Sequence, residues 1–157
     1  MGDRTNFRTV ASELPENILA VLRKPDNALS PVSIVATVNP DGTPHTAPFG
    51  SMRAVTPRLL RFASLRQHDT YVNLLKDNRV MVAFVALPNI AVSIKGRARV
   101  VREKMALDEY FALLEIDIEE VKNDMIRRVV IDSPITISAH DKFKKWFDDL
   151  IGEMDRL

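Results

Sequence analysis

Between Phe62 and Leu74 the chain reads Phe-Ala-Ser-Leu-Arg-Gln-His-Asp-Thr-Tyr-Val-Asn-Leu, an apolar stretch that runs into a polar loop and then a helical pattern. Such a segment can hold an anion. Hydroxyls at Ser64 and Thr70, the Arg66 cation, the His68 imidazole and the free amides of a helix start are the groups that meet a phosphate. The blander reading is that Asp69 caps the helix while Arg66 and His68 are solvated. A carboxylate beside a phosphate is unfavourable, so the anion reading requires Asp69 to point away.

Other chemistry is scarcer. The five glycines, Gly2, Gly42, Gly50, Gly96 and Gly152, are too dispersed for a dinucleotide fingerprint or a phosphate-cradling loop. The three histidines, His45, His68 and His140, form no i, i+4 pair, which argues against a zinc hydrolase. His45 sits after a hairpin turn and reads as a solvated edge residue, and His140 as a surface residue. The acidic run from Glu115 to Glu120 lacks the central Gly and the spacing of a calcium loop, so it reads as a solvated acidic face. Absent cysteine removes disulfides, thiolate metal sites and a cysteine nucleophile, and fits a reducing compartment.

The elements that must position these groups belong to one domain of 157 residues. A chain of this size buries roughly 69% of its unfolded surface, enough for a core without staples. Lys and Arg number 22 against 21 for Asp and Glu, so there is no general drive toward nucleic acid or an anionic membrane. No apolar run approaches a spanning helix, and Met1–Asn6 resembles neither a secretion signal nor a myristoylation site. The expected address is the cytoplasm.

A first helix is expected from Pro15 to Arg23, with Ile18, Leu19 and Leu22 on one face and Lys24-Pro25-Asp26-Asn27 ending it. Ser33–Val38 is short and β-branched, and Asn39-Pro40-Asp41-Gly42 supplies a turn, so residues 33–51 form a hairpin. Pro57 turns a second hairpin into a strand at Leu59–Ala63, and Thr70–Asp77 is a short helix. Val80–Leu87 is nearly continuously apolar, which predicts a central strand covered on both faces. Ile90–Val101 is a strand with Lys95, Arg97 and Arg99 alternating along it. Leu107–Leu114 and Ile118–Arg127 read as helices, and Val129–Ile131 and Pro134–Ile137 as final strand material. From about Asp141 a helix carries Phe143, Trp146, Phe147, Leu150 and Ile151 at the spacing of a face that packs on something. Strands at near-regular spacing predict an antiparallel barrel or sandwich.

The ordered series of these segments resembles the FMN-binding split β-barrel family, which includes the pyridoxamine 5′-phosphate oxidases and small FMN-binding proteins. Ser33–Pro48 is similar to its opening hairpin. Phe62-Ala63-Ser64, Thr70–Leu74 and Asp77–Val80 are similar to its flavin-phosphate segment, and Ile94-Lys95-Gly96-Arg97-Ala98 to a later strand. The resemblance spans roughly residues 14–101. It implies a mainly β, antiparallel Greek-key split barrel with peripheral helices over residues 1–157. It also implies a homodimer with non-covalent FMN in the interface groove.

Carried over by position, Pro48, Phe49, Gly50, Ser51 and Met52 would run along the ring system, Gly50 by letting the backbone approach a flat ligand. Ala63, Ser64 and Leu65 would follow the ribityl chain, Gln67, His68 and Thr70 would contact the phosphate, and Asn73 would brace the turn. Oxidase members carry basic residues where this chain has Ala47 and Met52, and the phosphate loop is closer to that of the small FMN-binding proteins. Pyridoxamine phosphate oxidation is therefore not expected. The expected activity is an FMN-dependent oxidoreductase or flavin reductase acting on a small molecule. A non-catalytic electron carrier, or the same barrel holding deazaflavin or haem, is the alternative. No catalytic acid or base is assigned; His45 and Arg53 are the nearby candidates.

Overall fold

The computed structural model describes residues 9–23, 29–125 and 127–157. The expected helix stop at residues 24–27 lies outside them. Eight strands form one sheet: β1 (Thr9–Ala11), β2 (Ser33–Val38), β3 (Pro44–Phe49), β4 (Arg53–Thr56), β5 (Leu59–Leu65), β6 (Arg79–Ala86), β7 (Ile90–Arg102) and β8 (Phe111–Asn123). Three helices accompany them: α1 (Glu16–Arg23), α2 (Asp69–Lys76) and α3 (Lys144–Asp155), the last entered through a single 3₁₀ turn at Asp141–Phe143.

Every pairing is antiparallel, in the order β3-β2-β6-β7-β8-β5-β4, with β1 beside β8. The chain itself dictates that this sheet curls. Its end strands β3 and β4 are joined by Gly50, Ser51 and Met52 alone. Four residue steps reach at most ~14 Å, whereas a flat seven-strand sheet is about 29 Å wide. The ends therefore meet, and β3 and β4 flank the split of a mainly β split barrel. α2 carries the chain from β5 to β6, strands β6, β7 and β8 follow one another antiparallel, and β8 returns beside β5, which is the Greek-key element.

Inward positions of the strands make the core: Val35, Leu60, Phe62, Val82, Ile94, Leu114 and Ile116 are fully enclosed. Ile18 and Leu22 of α1 and Tyr71 and Leu74 of α2 join the same cluster. The β2–β3 turn forms as its residue types demand. Gly42 takes φ +86°, Asn39 N–H donates to the Thr43 carbonyl at 2.8 Å, and Asp41 accepts the Thr43 N–H at 3.0 Å. That turn holds the Asp41 carboxyl below its ordinary range, chiefly through the Thr43 hydroxyl.

Several expectations fail for identifiable reasons. Leu107–Leu114 and the described part of Ile118–Arg127 are not helices; residues 111–123 are the long strand β8. Its residues Ala112 to Ile116 are buried consecutively, because α3 covers the outer face while the core takes the inner one. Val129–Ile131 and Pro134–Ile137 have strand composition but join no strand among the described residues; apart from the Ile131 N–H donating to the Pro88 carbonyl at 2.8 Å, they run as irregular chain. β6 is interior to the sheet yet covered on one face only, leaving Met81 41% exposed. The acidic row of β8 is not simply solvated. Glu115 is buried and bonds Arg61 Nε at 2.9 Å and Arg99 at 3.0 Å, Arg99 also pairs with Asp117, and Glu119 meets Arg97 at 3.1 Å. The alternating cations of β7 are the cross-strand partners of that row.

The terminal helix packs on its own barrel. Leu150 and Met154 bury against Ala63, Met105 and Leu113, forming a second core on the outside of β5 and β8. Glu153 fastens it, accepting the backbone N–H groups of Ala106 and Leu107 at 2.9 and 2.7 Å, and Arg61 Nη1 donates to the Met154 carbonyl at 2.8 Å.

Candidate functional site

A cavity of about 390 Å³ opens at the split. Its sheet wall is made by Pro48, Phe49, Gly50 and Ser51 from the end of β3 and the link to β4, and by Ala63, Ser64 and Leu65 from β5, with His68 at the loop before α2. Two distant segments meet because Ser51 ties them: its Oγ accepts the Ala63 N–H at 3.1 Å and donates to the Ala63 carbonyl at 3.4 Å. Eight of the twelve residues expected to bind cofactor therefore surround one cavity.

The other four stand elsewhere. Met52 is fully enclosed in the core. Gln67 is exposed. Thr70 and Asn73 are buried in α2, where Asn73 Nδ2 donates to Thr37 Oγ1 at 3.1 Å and Asn39 Oδ1 at 3.0 Å. Asn73 thus braces α2 against the first hairpin. At Gly50 an added Cβ would meet Leu29 Cδ2 at 2.9 Å, so the neighbour that needs glycine there is Leu29.

The loop also differs in detail from the anion arrangement read above. Arg66 is turned from α2: its Nε donates to the Glu109 carbonyl at 3.1 Å, and Nη1 lies 3.7 Å from Glu103. Asp69 is not the cap; His68 is, its Nδ1 accepting the Thr70 N–H at 3.2 Å. That bond leaves Nε2 of a neutral His68 to carry the proton. The Thr70 hydroxyl is fully buried with no partner among the described residues. His45 is no solvated edge residue: its Nε2 is buried and equally unpartnered. Its ring stands edge-on to His68, centroids 6.1 Å apart, and His68 in turn packs on Phe49 at 5.7 Å.

Arg53 is buried beside this site rather than in it. Its Nη1 donates to the carbonyls of Met52 at 2.8 Å, Ser30 at 3.3 Å and Gly50 at 3.4 Å, clamping the β3–β4 link. Burial pushes its pKa down to about 10, with Asp155 opposing the shift.

The second wall was not foreseen. Leu29 and Phe111 contribute to it, and the rest comes from the C-terminal stretch: Ile137, Ser138, Ala139, His140, Phe143, Phe147 and Leu150. The helical spacing of Phe143, Phe147 and Leu150 signals a packed face, but nothing local in sequence names the surface it meets.

With this geometry in hand, comparison with known proteins is decisive on one point. The family model described as pyridoxamine 5′-phosphate oxidase matches residues 14–135. The chain belongs to that family. The family commonly binds flavin and includes oxidoreductases. No curated protein matches the chain. Among solved structures, a protein of Lactobacillus delbrueckii provisionally assigned as a pyridoxamine 5′-phosphate oxidase is similar at 23% identity, with TM-score 0.59 over 71% of this chain and 94% of that one. An F420 reductase is similar at 18% identity, with TM-score 0.55 over 69% and 98%. A Listeria innocua protein with the same provisional assignment as the first gives 16%, TM-score 0.51, 75% and 98%. At these identities the likeness is one of fold. No helix among the described residues is long and apolar enough to cross a membrane.

Proposed function

We propose that this pyridoxamine 5′-phosphate oxidase-family chain binds FMN non-covalently in the cavity at the split and serves as an oxidoreductase. The observation that carries the reading is the Thr70 hydroxyl, fully buried without a partner directly after the residue pair that turns the wall of the cavity into α2. A buried orphan hydroxyl costs about 1–3 kcal/mol, and a phosphate ester at the start of α2 would relieve it. His68, with its proton on Nε2, is the second donor suited to that phosphate. Along the ring, the backbone of Pro48–Ser51 and Ala63–Leu65 provides amides and carbonyls on a wall fixed by Ser51 and Arg53. When bound, flavin supplies the hydride and electron chemistry itself. The residues of this chain bind it, orient it and exclude water from one face. We further propose a homodimer, supported by the open apolar groove of about 300 Å³ on the outer face of β2, β6 and β7, which Ala36, Val38 and Met81 help to line.

The test is the visible spectrum of the purified protein after FMN is added and dialysed. A perturbed flavin spectrum that survives dialysis supports the reading, and a colourless protein overturns it. Replacing Thr70 with Val and Ser64 with Ala together should weaken FMN binding by about tenfold or more, each lost hydrogen bond to a charged group being worth ~1.5–3 kcal/mol. Unchanged affinity in a folded double variant would move the phosphate away from α2. Parallel titration with deazaflavin and haem separates the cofactors sharing this barrel.

A further inference from the structure

Polar side chains converge behind the cavity wall, where α2 packs on the first hairpin, and His45 is the one that the site described above leaves unused. His45 stands opposite Thr37 in the β2–β3 register, so the two side chains share one face of the hairpin. Asn73 reaches that face from α2, donating to Thr37 Oγ1 at 3.1 Å. Thr70 precedes Asn73 by three positions, on the same buried side of the helix and one turn nearer its start. His68, the cap of that start, holds its ring 6.1 Å from the His45 ring, at 64°. Thr70 is thereby placed between the two contacts, at the level of His45.

Two atoms of this nook are buried and have no partner among the described residues: His45 Nε2 and Thr70 Oγ1. An imidazole N–H and a hydroxyl both donate, so an oxygen-rich anion meets them together. The nook adjoins the cavity at His68 and Phe49, which line it and pack edge-on at 5.7 Å. Asp69, the carboxylate next to Thr70 in sequence, is exposed. The Arg66 guanidinium is engaged by the Glu109 carbonyl and by Glu103. We propose that His45 is a phosphate-selecting residue of this site, its Nε2–H donating to an oxygen of a phosphate monoester that Thr70 and His68 also hold. A hydrogen bond to a charged oxygen is about twice as strong as one to a neutral group, so the contact favours a phosphorylated ligand over the same ligand carrying only hydroxyls. The inference rests on the flavin reading for the identity of the ester, whereas the anion contact is measurable without flavin.

The matched probes are FMN and riboflavin, which share a ring system and differ by the phosphate, with inorganic phosphate as the anion alone. Binding is measured by isothermal titration on the natural chain and on two variants. His45→Phe keeps the bulk of the ring without an N–H, and His45→Gln offers an amide N–H near the Nε2 position. Trp146 emission and the melting temperature check that each variant is folded. His45→Phe should lower FMN affinity by about tenfold or more and leave riboflavin affinity within about twofold. His45→Gln should recover at least about threefold of that loss. A structural role for His45 would weaken both flavins together and leave their ratio unchanged. Should His45→Phe fail to fold, the same ratio is read from His45→Asn, whose amide is too short to reach the Nε2 position. An FMN-to-riboflavin ratio unchanged in the folded variant overturns the proposal. If FMN survives dialysis and the ratio does not respond, the role of His45 alone falls. If FMN is lost on dialysis while the natural chain binds inorganic phosphate and His45→Phe weakens that binding about tenfold, the contact stands and the flavin reading falls. A natural chain that binds neither FMN nor phosphate overturns both.

Discussion

Glu153 offers the most direct test of how the second wall is held. Its carboxylate is buried against the barrel, Oε1 accepting the Leu107 N–H at 2.7 Å and Oε2 the Ala106 N–H at 2.9 Å, with Arg102 at 3.3 Å. Glu153→Ala removes both acceptors at once. Each hydrogen bond to a charged group contributes about 1.5–3 kcal/mol. The Arg102 pair adds less than ~1 kcal/mol, because the arginine side chain is 41% exposed and its charge is screened. Residues 106 and 107 lie near the surface, so water recovers part of the loss. The expected destabilisation is about 2–4 kcal/mol, and Glu153→Gln, which keeps an acceptor oxygen without the charge, should lose about half as much. Urea unfolding followed by Trp146 emission reads the change, with the slope of free energy against urea checking that the transition stays two-state. A loss below about 1 kcal/mol for the alanine variant would refute the view that this carboxylate fastens α3.

Two further outcomes follow from features outside the site. Gly96 lies at the bulge between β7 and β8, where an added Cβ would collide with the Asp117 carbonyl oxygen and come within 2.7 Å of Ile116 Cγ2. Gly96→Ala should cost about 2–4 kcal/mol, visible as a melting temperature lower by roughly 5–15 °C, and an unchanged melting temperature would show that the two strands part without cost. Asp77 chelates Arg79, and that guanidinium holds the Asp77 carboxyl down at about 2, below its unfolded value of 3.8. Because the folded pKa is depressed, the stabilisation is present above the unfolded value and is lost as pH falls through the folded one. The stability gap between the natural chain and Asp77→Asn should therefore shrink from pH 5 to about pH 2 in urea titrations. A gap independent of pH would assign it to packing.

The first hairpin was legible because its signals are local: a β-branched run, an Asn-Pro-Asp-Gly turn and the alternation of Val35 and Thr37 inward. The sheet wall of the site was legible through the family resemblance, which carries Pro48–Ser51 and Ala63–Leu65 over by position, and not through any local signal. β8 was misread because burial on both faces erases the period of two: five consecutive buried residues from Ala112 resemble a helix as much as a strand. Farther along, Ile116, Asp117 and Ile118 do alternate, and that stretch was the available clue. Val129–Ile137 shows the converse, β propensity without a ladder partner. Met52 and Thr70 are adjacent in sequence to cavity residues yet fully buried outside its lining, a placement that tertiary packing decides and local sequence does not. His140 and Phe143 were read as surface and packing residues because only folding brings α3 to the split.

Two prolines give the split a further consequence. Pro44 and Pro48 stand at positions of the same parity along β3, opposite Val38 and Ile34, and among the described residues β3 has no strand on its other side. Neither carries an amide hydrogen, and both fall on the side of β3 away from its only partner. The row of donors that an unpaired strand normally presents to passing chains is thereby reduced on this one. A barrel that must stay open to admit a ligand exposes a strand margin capable of recruiting extended segments from other molecules. In this chain the opening is made by a strand poorly equipped to do so, which lets the protein keep an accessible groove without inviting strand-by-strand aggregation.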